Sequence, residues 1–309
     1  MPKKIKGFYP FKKMTISAYL ENLENMGLQA SQVFRAVEIL KQMKKDKATI
    51  FLTFTSNMVS SGLRDIFTLL CRQKKVDVII TSIGSIEEDI MKALCDFELC
   101  NFEENDVALF EKGKNRVGNI IIPNSCYIKL EKFLQPFFKS QLEKQKKLSK
   151  PIIPSELLKD LGLYLNDPSS FIYWCAKNNI PIFCPALTDG AFGLQLHFFK
   201  QASKNRDFLI DASGDLKPLS EIILNSSKTA GIILGGGVAK HHAIGANILR
   251  EGFDYAIYIS TAVPYDGSLS GAQASEAKSW GKINKKATVA NIYCEASIIF
   301  PLLASQLLD

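Results

Sequence analysis

Apolar residues along this chain fall in short unbroken runs, separated by longer stretches of helical period. Residues 49–54 read TIFLTF and residues 76–81 read VDVIIT, and each run predicts a buried strand. A helical pattern spans 57–73, and a further helix is predicted over 86–94. GNIII at 118–122 predicts a third strand, followed by a long helix over about 127–147. Lys150-Pro151 and Pro154 interrupt the chain, and Ser155 starts another helix. Strands are predicted again at 180–186 (IPIFCPA), 207–211 (DFLID), 231–234 (GIIL), 254–260 (DYAIYIS) and 288–293 (TVANIY), with helical segments between most of them. Strands that are apolar throughout and alternate with helices imply an α/β fold: a Rossmann-like parallel sheet with helices on both faces. No repeat or long linker divides the chain. The expected organisation is a basic N-terminal arm, residues 1–14, and a single large domain, residues 15–309.

Composition narrows the class. The chain has 309 residues, 47% hydrophobic and 22% charged, which suits a globular core. No apolar run reaches the ~18 residues of a membrane helix, so no membrane partner is expected. The opening MPKKIKGFYPFKKM is basic, lacks the apolar stretch of a secretory signal, and predicts a flexible arm. Seven cysteines without a C-x-x-C predict buried free thiols in a reducing cytoplasm, not a disulfide framework or a zinc site. Adjacent His241 and His242 point apart on a helix or a strand, so no shared metal is expected. The net charge is +7, with lysines concentrated in KSQLEKQKKLSK at 139–150. That stretch is either a solvated helix end or a surface for an acidic partner. Nucleic acid is a poor candidate, because no basic motif is interleaved with aromatics.

Ligands of a parallel sheet collect outside the carboxyl ends of its strands. There the chain places TSN (55–57), TSIGSIEED (81–89), PALTDG (185–190), GGG (235–237) and STA (260–262). GIILGGGVAKHH is a strand, a glycine turn and a helix start, a layout that lets backbone approach a phosphate. Lys240 stands where the third glycine of G-x-G-x-x-G would be, and no Walker spacing follows. The turn alone fits tight packing or nucleotide binding; its companions favour the nucleotide. Glu87 and Glu88 begin a predicted helix, where carboxylates also suit the helix dipole. Glu276 and Trp280 are four apart and share a face on a helix, where carboxylate and indole can hold an organic ammonium ion. Asp189 could accept hydrogen bonds from a ribose or amide, or simply form a turn. His241, beside the glycine turn, could take up a proton.

Lys282 lies in SWGKI. At an ordinary pKa of about 10.4, under about 0.1% of a lysine is neutral at pH 7. Burial beside Trp280 would lower that pKa and free the amine to form a Schiff base with an imine or aldehyde carbon. The alternative is an exposed lysine following a glycine turn.

These blocks carry a resemblance. TSNMVSSGLRD, PALTDG, GIILGGGVAKHH, YDGSLSGA and SEAKSWGKI followed by IIFPLL stand in the order and spacing of the deoxyhypusine synthase family, and the similarity spans 15–303. The resemblance implies a cytoplasmic homotetramer with sites at subunit interfaces. It implies that NAD oxidises spermidine next to a nitrogen and that a lysine captures the imine. The aminobutyl group then passes to a lysine of a hypusine-bearing translation initiation factor, and NADH reduces the new imine. The nucleophile aligns with Lys282, and His241 is the other candidate catalytic residue. The NAD contacts of the family fall on Ser56, Asn57, Met58, Val59 and Ser60, then on Ser82, Ile83, Gly84 and Glu88. Further ones fall on Asp189, Gly236, Thr261, Ala262, Glu295 and Ala296. Its polyamine contacts fall on Glu87, Glu88, His241, Gly267, Ser268, Ser270, Glu276 and Trp280.

The chain also departs from the family. Leu194 and Leu269 stand where the family has aspartates, and Gly245 where it has asparagine. Ile83-Gly84-Ser85 replaces a small-Gly-Gly turn, and Glu295 replaces an aspartate. Removing the partner of a buried ammonium costs roughly 3–5 kcal/mol. Three activities follow: a deoxyhypusine synthase with a relaxed polyamine pocket, a related enzyme with another amine donor or acceptor (homospermidine-type synthesis), or a non-catalytic subunit supporting an active paralogue.

Overall fold

The structure, a computed structural model, describes residues 4–9 and 13–308. Its strands are β1 (Thr49–Phe54), β2 (Val78–Thr81), β3 (Glu98–Leu99), β4 (Lys114–Val117), β5 (Ile120–Pro123), β6 (Ile182–Phe183), β7 (Thr229–Leu234), β8 (Phe253–Ser260) and β9 (Ile283–Tyr293). The chain forms two compact units. One comprises Met1–Phe54, Gln73–Ile80 and Pro218–Asp309; the other comprises Thr55–Arg72 and Thr81–Lys217.

The first unit is the parallel sheet expected from the sequence. Its strands follow the order β2-β1-β7-β8-β9. β7 pairs in parallel with β1 through Thr49↔Thr229 to Thr53↔Ile233, and with β8 through Ala230↔Tyr255 to Leu234↔Ile259. All six residues of β7 are buried, as a strand covered on both faces requires. The helix Gln29–Lys45 buries Val33, Ala36, Val37, Leu40 and Met43, the single stripe that a 3.6-residue period lays against a sheet. β9 starts five residues earlier than its apolar pattern suggests. Its register shifts between Phe253 and Tyr255, and its early residues are partly exposed, which hides them from a search for buried runs. The N-terminal segment, expected to be a free arm, is docked where it is described. The Lys6 N–H donates to the Asn25 carbonyl at 3.0 Å, and the rings of Phe8 and Tyr19 meet edge to face at 5.5 Å. The remainder of that arm at 1–3 and 10–12 lies outside the described residues.

The second unit is mostly helical. Phe138 packs against Phe192 at 5.2 Å and Phe199 at 5.7 Å, and Phe199 against Phe208 at 5.8 Å. Here the sequence misleads in four places. GNIII does not join the parallel sheet; β5 is the centre of a small antiparallel sheet ordered β3-β5-β4. DFLID forms no strand, only an isolated bridge between Ile210 and Ile152. The helix predicted from 86 begins at Ile83, so Glu87 and Glu88 sit in its second turn and not at its start. Cys95 and Cys126 form a disulfide, where free thiols were expected. Their partnership across 31 residues leaves no trace in local spacing. The lysine-rich stretch at 139–150 covers the end of the helix Asn124–Leu148 and the two residues after it; Gln141 and Leu142 are buried, while Lys146 and Lys147 in the last turn are exposed.

Candidate functional site

Within the first unit, β7 ends at Leu234 and gives way to three glycines. Gly235 and Gly237 have φ of 79° and 64°, a region closed to most side chains. A Cβ on Gly236 would lie 2.4 Å from the Cα of Ser270. The turn is therefore glycine by geometry. It opens the helix Gly237–Ala246, whose first N–H groups receive no side-chain cap. Nothing would lie within 4 Å of a Cβ at Gly237. Uncapped N–H groups and open space at a helix start form a cradle that suits a phosphate. β8, paired to β7 up to Leu234↔Ile259, ends at Ser260, whose hydroxyl accepts from the Ala262 N–H at 3.1 Å; Thr261 is exposed. In the loop that follows, Gly267 has φ of 70°, and the Ser268 N–H donates to Asp266 at 2.8 Å, holding that carboxyl below its ordinary range. A short helix, Ala274–Ser279, carries exposed Glu276 and ends at Trp280.

Lys282 is reached from that helix through Gly281, at φ 67°, and the Lys282 N–H donates to the Ala277 carbonyl at 3.0 Å. It immediately precedes β9, so it enters at the amino end of its strand. Gly252 fixes that entry: a Cβ there would lie 2.6 Å from the Lys282 carbonyl carbon. The Lys282 amine stands 3.5 Å from Nε2 of His241 and 5.2 Å from the centre of the Trp280 ring. The structure thus brings together the lysine, histidine and tryptophan that the sequence singled out. It does not bury them as expected. Trp280 caps a surface helix and is 66% exposed, so in this chain it is not a dry wall for Lys282, which is half-buried. Glu295 and Ala296 follow β9; Glu295 accepts from the Ser297 hydroxyl, and Ala296 is buried at a helix start.

The second unit holds the remaining predicted residues. Ser56, Asn57 and Met58 form a helical turn, continued by Val59 and Ser60 into a wide turn that Gly62 allows with φ of 98°. Asn57 is exposed and accepts from Thr55 at 2.6 Å, whereas Met58, Val59 and Ser60 are buried. Ser82 precedes the helix Ile83–Leu94, and a Cβ on Gly84 would lie 2.8 Å from that of Ser56. The two turns touch at that glycine. On the same helix, Glu88 accepts from the Ser60 hydroxyl, yet burial pushes its carboxyl up to about 7. Burial also raises Glu87, against the pull of the Phe192 N–H, which donates to it at 2.7 Å. Gly190 has φ of 133° and would place a Cβ 2.9 Å from the Glu87 carboxylate. Asp189 is exposed in that turn, and Leu194, on the following helix, is 58% exposed.

Sequence reasoning assigned no role to half-buried Lys92 or to buried Arg64, Asp89 and Lys240. Lys92 donates to the carbonyls of Val59 and Ser60 at 3.0 and 2.9 Å, holding the wide turn. Arg64 pairs with fully buried Asp89 at 2.6 Å. Lys240, noted only as a departure from a glycine motif, is 2% exposed. Its charge inside GGGVAKHH, where a helix must pack on a sheet, is the signal that could have found it. Among the described residues, no group of three or more His, Cys, Asp or Glu side chains could hold a metal ion.

Comparison with known proteins bears on what this arrangement is for. The family model for deoxyhypusine synthase matches residues 18–307. A probable deoxyhypusine synthase of Thermococcus kodakarensis is 46% identical over 300 residues, covering 94% of this chain and 89% of that protein. The deoxyhypusine synthase of Senecio vernalis is 40% identical over 329 residues, covering 98% and 88%. A crystal structure of a candidate deoxyhypusine synthase from Entamoeba histolytica superposes with a TM-score of 0.69 at 32% identity, covering 98% of this chain and 96% of that one. The chain belongs to the deoxyhypusine synthase family of transferases.

Proposed function

We propose that this protein transfers the aminobutyl group of spermidine, through an imine on Lys282, to a lysine of a hypusine-bearing translation initiation factor. The observation that carries this reading is the 3.5 Å approach of the Lys282 amine to His241 Nε2 beside the Trp280 ring. An amine adds to an imine carbon only after giving up its proton, and a neutral imidazole at that distance can receive it. NAD, when bound, would supply the redox chemistry, as hydride acceptor for the spermidine carbon next to nitrogen and as hydride donor to the final imine. Lys282 attacks that carbon, the bond to the aminopropyl nitrogen breaks, and 1,3-diaminopropane leaves with a proton. The factor's lysine then displaces Lys282 from the imine. Gly235–Gly237 with the uncapped start of their helix would hold a phosphate of the dinucleotide, together with Thr261, Ala262, Glu295 and Ala296. In the second unit, Ser56–Ser60, Ser82–Gly84, Glu88 and Asp189 are the positions on which, by resemblance, the family's dinucleotide contacts fall. Glu276 and the exposed indole of Trp280 offer a charge and a π-face to an ammonium; Glu87, in the second unit, is by resemblance a further polyamine contact of the family. Assembly as a homotetramer in the cytoplasm belongs to the same proposal.

A second reading, transfer from another amine donor or to a small amine acceptor, draws support from Leu194 and half-buried Leu269, which provide no charge for an ammonium. Incubation of the protein with NAD and spermidine labelled in its butyl moiety, with and without the factor, tests both. Label on the factor is the expected result. Label found only in a small polyamine transfers the assignment to the second reading, and no label in either product overturns the proposal.

A further inference from the structure

We propose that Lys240 is a positioning residue, whose buried ammonium pins the loop 266–272 onto the glycine-turn helix and so sets the affinity for the amine donor. This rests on the assignment of Gly267, Ser268 and Ser270 in that loop to the donor. Lys240 lies four residues into the helix from Gly236 and points into the unit. Its Nζ donates to the carbonyls of Leu269 and Ala272, both at 2.7 Å, and stands 4.5 Å from the centre of the Tyr258 ring. Both acceptors are main-chain groups of one loop. A buried ammonium is unfavourable unless its donors are matched, and charge-assisted bonds are the stronger kind. Here the matching is supplied by the loop and by the π-face of a tyrosine on β8. Burial pushes the amine down to about 8, which leaves it mostly charged at neutral pH.

The loop has few other holds. Within it the N–H groups of Gly271 and Ala272 both turn back to the Ser268 carbonyl, at 3.2 and 3.1 Å. The Ser260 hydroxyl reaches the Ser270 carbonyl only at 3.3 Å. Yet the loop is placed tightly. A Cβ on Gly271 would lie 1.8 Å from the Val263 carbonyl, and Ser270 fills the space over Gly236. Loss of the lysine's two bonds therefore frees Ser268 and Ser270 from fixed positions, while β7 and β8 keep their ladder.

The test is Lys240→Met, which keeps the apolar stem and removes every donor, alongside Lys240→Gln, which keeps one donor group. Amide hydrogen exchange on the full chain is expected to quicken at least tenfold in 266–272 for the methionine variant and less for glutamine, with 230–234 and 254–259 unchanged. In transfer assays, KM for spermidine is expected to rise at least tenfold, with kcat within threefold of the parent. Unchanged protection in 266–272, or an even loss over the whole unit, overturns the pinning. A KM that stays flat while the loop loosens overturns the link to the donor. The exchange readout needs no substrate, so failure of the parent protein to use spermidine is told apart from failure of the pinning. Should the methionine variant not fold, the glutamine variant is judged by the same readouts.

Discussion

The Lys282 amine faces His241 Nε2 at 3.5 Å, although the two residues are 41 apart in the chain. A nucleophile and its proton acceptor at this spacing act as a pair. Lys282→Ala should lower aminobutyl transfer by on the order of 10³-fold or more, with the dissociation constant for NAD unchanged. Borohydride trapping followed by mass spectrometry should find the butyl label on Lys282 in the parent and nowhere in the variant. Undiminished transfer by the variant would remove the lysine from the mechanism.

Gly236 has no room for a side chain. Its Cβ would fall 2.4 Å from the Ser270 Cα, so alanine must displace backbone and not merely a flexible side-chain end. Gly236→Ala is expected to weaken both NAD and spermidine at least tenfold and to cost about 1–3 kcal/mol of stability. Calorimetric titration and thermal melts read both effects. Parent-like affinities would show that the turn does not carry the cofactor.

Glu88 makes stability depend on pH. Its carboxyl is raised from 4.5 to about 7, so between those values the folded chain keeps a proton that the unfolded chain has lost. The stabilising contribution is complete below about pH 4.5, declines as pH rises, and is gone above about 7, for a total of roughly 3 kcal/mol. Glu88→Gln should flatten this slope and melt higher than the parent at pH 8. Melting curves at pH 5, 6, 7 and 8 decide it; parallel slopes for the two proteins would rule out Glu88 as the source.

Much of this was written in the chain. The runs TIFLTF, GIIL and DYAIYIS became β1, β7 and β8 because a strand buried on both faces is apolar along most of its length. The glycine turn, His241, Trp280 and Lys282 were all picked out from sequence. What escaped depended on partners distant in sequence. GNIII has the composition of a buried strand, but its neighbours β3 and β4 are short and half polar, so its antiparallel setting was invisible. Lys240 looked like a broken motif because the carbonyls that satisfy it lie 29 and 32 residues away. The exposure of Trp280 was equally hidden: an indole beside a glycine reads as a buried ring until the shortness of its helix is known.

On the proposed function, Leu194 and Leu269 would set a limit on amine affinity. An ammonium near an aliphatic side chain gains no charge partner, whereas an aspartate a few ångströms away would supply one. Leu194→Asp and Leu269→Asp, made singly, should each tighten spermidine binding about tenfold, equivalent to ~1.4 kcal/mol. Equilibrium dialysis with labelled spermidine measures this directly. Affinity that does not move in either variant would mean the missing carboxylates are not what shapes the donor's binding.

Gly252 gives the proposed nucleophile a dependent far from it in the chain. Because any side chain at 252 would collide with the Lys282 main chain, and because Gly252 itself holds φ at 91°, the position tolerates no replacement that leaves the lysine where it is. A random-mutagenesis screen for inactive yet soluble clones should therefore return hits at 252 as readily as at 282, marking as essential a residue that never meets a substrate.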